Sequence, residues 1–282
     1  MPKKDIDKLM VEIESQVVQD LKKDNLNILK QLEKAKKKKE DMVDAVYEAV
    51  SANLRTWDKP SIPKPRNLKK TMDEEIAIAV LSDIQLAKVT PDYNSEVAEE
   101  RVIAYAHKIV DITNLQRQSH PVNKVAVFAV GDIIEGELIF PGQSHLIDSS
   151  LYKQVTVDGP RIIGKFLDIL LANFNEVDVH WVIGNHGHLG GRSRKDYHPD
   201  SNADRMLGNI MKMIFRDEKR IKFTIPDSTG DNHWFDIANL GKECKFLLWH
   251  GDNVRGFSGF PWYGFGKKLQ GWKTLAANGL TP

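Results

Sequence analysis

The chain has 282 residues, 41% of them hydrophobic and 28% charged, which suits one large domain with an accessory segment. Its 40 basic and 39 acidic residues leave a net charge of +1, so a globally basic nucleic-acid binder is excluded and only a local basic face remains open. The single cysteine, Cys244, rules out an internal disulfide; no apolar run approaches the ~20 residues of a membrane span, and Met1 to Lys8 is too polar for a secretory signal, so a soluble protein of a reducing cytosol is expected.

Residues 1–56 carry apolar side chains at Ile6, Leu9, Met10, Ile13, Val17 and Leu21, the three-and-four spacing of an amphipathic helix. Lys36 to Lys39 interrupt it, and a second stripe runs through Met42, Val43, Val46, Val50 and Leu54. This helical arm is expected to pack on itself or on a protein partner, with nucleic acid on the lysine run as the alternative. Pro60, Pro63 and Pro65, mixed with Lys64, Arg66, Lys69 and Lys70, mark residues 57–72 as an extended linker.

From residue 73 onward, strands alternate with helices. Apolar runs predict buried strands at Ile76–Leu81, Lys124–Val130 and Val177–Ile183, and shorter ones at 220–225, 233–238 and 243–249. Periodic stretches predict helices over 94–118, 151–173 and 201–216. Cys244 is expected in the core. The pattern is that of an α/β sandwich.

Polar motifs stand where the apolar runs stop: Ser82-Asp83-Ile84-Gln85, Gly131-Asp132, Gly184-Asn185-His186 and Trp249-His250-Gly251-Asp252. Open α/β sheets collect ligands at the carboxyl ends of their strands. A lone aspartate there is usually a helix cap, but four such exits together suggest one polar site. Phosphoester hydrolysis needs that kind of site: two divalent cations about 3.5–4 Å apart neutralise phosphoryl charge and generate hydroxide near neutral pH.

On these motifs, over roughly residues 76–252, the chain resembles the calcineurin-like metallophosphoesterase superfamily, and is most similar to members encoded by bacteriophages. The resemblance implies a four-layer αββα metallophosphoesterase sandwich over residues 73–282. It implies two metal ions, Mn²⁺ favoured and Mg²⁺ possible, with Asp83 and Gln85 on the first, Asp132 bridging, and Asn185 and His250 on the second. His186 would be the catalytic group, donating to the phosphate or protonating the leaving oxygen, and a bridging hydroxide would attack the phosphoester.

The chain departs from that pattern twice. Gln85 stands where the family usually has histidine, which disfavours Zn²⁺ and loosens the first metal. The family's closing Gly-His-x-His is missing, which predicts a C-terminally truncated domain whose own activity is in doubt. His145, Arg192, Arg194 and Arg255 are candidate substrate contacts. Glu135 reads as a cap more readily than as a partner of the site. The aromatic, basic segment Arg255 to Trp272 reads as a loop that either packs on the domain or stacks bases. The expected function is a phosphodiesterase or nuclease acting on DNA or RNA, in the host cytoplasm if phage-encoded. A phosphomonoesterase and a degenerate, non-catalytic assembly protein are the alternatives.

Overall fold

The computed structural model describes residues 62–65, 74–190, 198, 200–227, 233–241, 244–252, 254 and 261–277, together with Lys23, Asn27, Lys30, Gln31 and Lys34. The chain divides into two compact units, Met1–Arg55 and Thr56–Pro282. In the first, the five described residues are helical and exposed, a polar face at helical spacing. The apolar stripes of that arm lie outside the described residues, as does most of the linker.

The second unit is built on four parallel strands in the order β1 (Ile76–Leu81), β2 (Lys124–Val130), β3 (Glu176–Val182) and β4 (Ile221–Thr224). Three helices return the chain between them: α1 (Ser95–Gln116), α2 (Gly159–Asn173) and α3 (Ala203–Ile214). The strands' even, continuous apolar character follows from this, since β2 and β3 are covered on both faces and bury nearly every side chain. On one face Trp181 meets α3, where Gly208 permits close approach: a Cβ there would lie 2.9 Å from the indole. On the other, Ala126, Phe128 and Val182 form a cluster with Ala238, Leu240 and Leu248 of an antiparallel hairpin, β5 (Phe235–Asn239) and β6 (Lys245–Trp249).

The mixed α/β class expected from the sequence is therefore formed, with elements close to their predicted spans; the stretch expected as one helix over 151–173 opens with a short turn at Leu151–Lys153 and a π-helical turn at Gln154–Asp158 that runs into α2. Two expectations are corrected. Residues Trp262–Ala277 are helical (α4), because Phe265 and Trp272 find Trp249 and Trp234 to pack against, with Trp272 5.0 Å from Trp249 and 6.1 Å from Trp234 between ring centroids. Cys244 is exposed, at the start of β6, rather than in the core. Among the described residues no helix is long and apolar enough to cross a membrane.

Candidate metal centre

Parallel pairing of β1, β2 and β3 brings their carboxyl ends to one edge of the sheet. Asp83 follows β1, Asp132 follows β2, and Asn185 and His186 follow β3. His250 arrives from β6, and its Nδ1 donates to the Val130 carbonyl, 2.8 Å away, at the exit of β2. One ligand atom each from Asp83, Asp132 and His250 lies within 4.8 Å of the others.

The turns that present these groups are tightly constrained. Among the described residues four non-glycines have positive φ, Asp83 (52°), Gln85 (48°), Ala87 (83°) and Asp132 (51°), and all four lie in the loops after β1 and β2. Hydrogen bonds between the loops hold them: Asp83 N–H to Gly131 O at 3.2 Å, Gln85 N–H to Asp132 O at 2.8 Å, and Leu86 N–H to Ile133 O at 2.9 Å. Glycines are required where the loops touch. A Cβ on Gly131 would sit 2.6 Å from Gly184 N, and one on Gly184 would sit 2.1 Å from Asp132 Oδ1.

A residue that the motifs do not contain ties these loops together. Asp204, fully buried in the first turn of α3, accepts the N–H groups of Asp132 (2.9 Å), Gly184 (3.0 Å) and Ile134 (3.1 Å). Burial, and then the nearby Asp132 charge, push its pKa up to about 6, against the three N–H donors that favour the carboxylate. Asn202, the residue that caps α3, is also fully buried and donates to Gly184 O at 3.1 Å. In sequence, Asp204 looks like any acidic residue in a first helical turn.

With Nδ1 committed to a carbonyl, His250 points Nε2 at Asp132 Oδ2 (3.1 Å) and Asn185 Oδ1 (3.2 Å). These are three acceptors around one point unless a proton or a cation lies among them. Burial opposes charge on His250, but its hydrogen bond to Asp132 and the Asp132 charge prevail, raising its pKa to about 9. Burial likewise opposes the Asp132 carboxylate, yet His250 and the His186 N–H hold its pKa below the ordinary value. Two carboxylates, an amide oxygen and an imidazole nitrogen make a donor set that fits a divalent cation.

His186 stands beside this point. Its N–H donates to Asp132 Oδ1 at 2.8 Å, and its Nε2 is 3.9 Å from Asp132 Oδ2. Nδ1 lies 3.2 Å from the Glu135 carbonyl and 3.0 Å from Glu135 Oε2; the hydrogen-bond angle serves the carbonyl, and the carboxylate adds its charge. Glu135 therefore faces the site's histidine, and it raises the His186 pKa more than burial lowers it. Gln143 and Gln154, both fully buried, fix the loop that carries it: Gln143 donates to Glu135 O and Oε1, and Gln154 accepts Gly136 N–H.

Of the remaining candidates, Gln85 lines the same cleft as Asp83, with its Oε1 accepting from Lys88 Nζ at 2.5 Å. His145 is exposed on a 3₁₀ turn, Gln143–His145, whose buried member is Gln143. Arg192, Arg194 and Arg255 lie outside the described residues. A scan against protein-family models and searches of curated proteins and of solved structures gave no match, so the site's geometry and the resemblance in its motifs carry the functional reading.

Proposed function

We propose that this chain carries the centre of a metal-dependent phosphoesterase, with a phosphodiester such as DNA or RNA as substrate. The observation that supports it best is the convergence of Asp132 Oδ2, Asn185 Oδ1 and His250 Nε2 on one point, with Asp83 alongside and His186 next to it. A divalent cation bound there would lower the pKa of a water and offset charge on the phosphoryl oxygens. Asp83, Asp132, Asn185 and His250 hold the cation. His186, its pKa raised by Glu135, gives its Nε2 proton to the leaving ester oxygen as the P–O bond breaks and the water oxygen bonds to phosphorus. Water thus supplies the hydroxyl on phosphorus and, through His186, the proton on the leaving alcohol.

In this reading the fold is a four-layer sandwich, with α4 against the outer side of the hairpin through Trp249. Trp262 and Tyr263, 74% and 78% exposed on α4 near Lys267 and Lys268, suit the stacking and charge demands of a nucleic acid better than those of a small phosphomonoester. Asp132→Ala should abolish Mn²⁺-dependent hydrolysis of a chromogenic phosphodiester. Equal rates in the two proteins would refute the reading, and preference for the monoester would redirect it to a phosphatase.

A further inference from the structure

The loop after β1 carries a cation that this hydrolytic reading leaves without a task. Lys88 is partly buried, and its Nζ donates to Gln85 Oε1 at 2.5 Å. The amide must present its oxygen there, because an ammonium only donates. Positive φ at Gln85 and Ala87 closes the turn, Lys88 N–H returns to Gln85 O at 3.0 Å, and Gln85 N–H is anchored to Asp132 O. Gln85 and Lys88 line a cleft of about 620 Å³ together with Asp83.

Gln85 offers one neutral oxygen to a second cation on the Asp83 side, and the Lys88 ammonium already sits 2.5 Å from it. A metal on the other lone pair of that oxygen would lie directly beside a like charge. The charges agree. Asp83, Asp132 and Lys88 sum to −1; one divalent cation brings the group to +1, the complement of a phosphodiester, while two bring it to +3.

We propose that the centre holds one divalent cation, on Asp83, Asp132, Asn185 and His250, and that the Lys88 ammonium, pinned by Gln85, supplies the second positive charge to the phosphoryl group. This rests on the phosphoesterase reading, departs from the two cations expected by resemblance, and gives Lys88 a role in binding substrate.

The full chain is titrated with Mn²⁺ alone, followed by calorimetry and electron paramagnetic resonance. The expected result is one Mn²⁺ per chain with an uncoupled six-line spectrum, and a second, spin-coupled Mn²⁺ in the Gln85→His, Lys88→Met double variant. Two coupled ions in the unaltered chain would overturn the proposal and leave the metal centre standing; no bound Mn²⁺ would overturn both. A double variant that still takes one ion would overturn Lys88 as the group that excludes the second. Lys88→Met alone should lower kcat on a phosphodiester about 100-fold at saturating Mn²⁺, the scale of losing one charge-stabilising donor, and Lys88→Arg should recover part of it. Unchanged kcat in Lys88→Met would also overturn the proposal.

Discussion

Metal binding at this centre should be governed by one proton. His250 has its pKa raised to about 9, and a cation needs the Nε2 lone pair that this proton occupies. At pH 7 only about 1% of His250 is neutral with such a pKa, so Mn²⁺ affinity there should be about 100-fold below its alkaline limit. Between pH 6.5 and 8.5 the dissociation constant should fall about tenfold per pH unit, with about one proton released per ion. Calorimetry in two buffers of different ionisation enthalpy reads both quantities. The same shift sets metal-free stability. A raised histidine pKa stabilises fully below the unfolded value near 6.5, and that contribution, about 3 kcal/mol for such a shift, is lost as pH rises to about 9. The metal-free melting temperature should therefore fall across that window, and saturating Mn²⁺ should flatten the fall. A pH-independent Mn²⁺ affinity would refute the reasoning, as would a slope that survives in His250→Gln.

Asp204→Ala leaves three buried N–H groups without their acceptor and should cost roughly 3–5 kcal/mol, on the order of 10 °C in thermal melting. A loss below about 1 kcal/mol would show that the loops after β2 and β3 hold themselves together. Glu135→Gln removes the charge that raises the His186 pKa, so the alkaline limb of the kcat profile should move to lower pH while the fold is retained; an unmoved limb would take His186 out of the general-acid role.

The parts of this site that could be read in the sequence are those fixed by strand periodicity. Ile76–Leu81 and Lys124–Val130 are uninterrupted apolar runs, so the residue after each is placed as soon as the strands are taken to be parallel. What escaped the reading depends on contacts between distant segments. Asp204 is 72 residues from Asp132, and nothing local distinguishes it from a helix-start acid. Glu135 reads as a cap until its loop folds back over His186, a path set by the buried glutamines Gln143 and Gln154. The Gln85–Lys88 turn has positive φ at Gln85 and Ala87 with no glycine at either place, so it carries no turn signature. The α4 segment shows the converse. Gly264, Gly266 and Gly271 weaken helix propensity, and the tryptophan contacts of the hairpin override it.

The same contacts fix the geometry of the centre. Backbone strain at Asp83, Gln85, Ala87 and Asp132 persists only where surrounding bonds over-determine it, and here the cross-loop N–H groups and Asp204 do so from behind the acceptors. Acceptors fixed at 3.1–3.2 Å cannot relax apart, so the uncompensated charge must attract a positive group. With its pKa raised to about 9, the His250 proton can be that group. On the Asp83 side the chain carries the Lys88 ammonium, three residues along from Gln85. A proton can be displaced by a metal at neutral pH far more readily than a pinned ammonium can be, which is why the two sides of one cluster should differ in whether they bind metal.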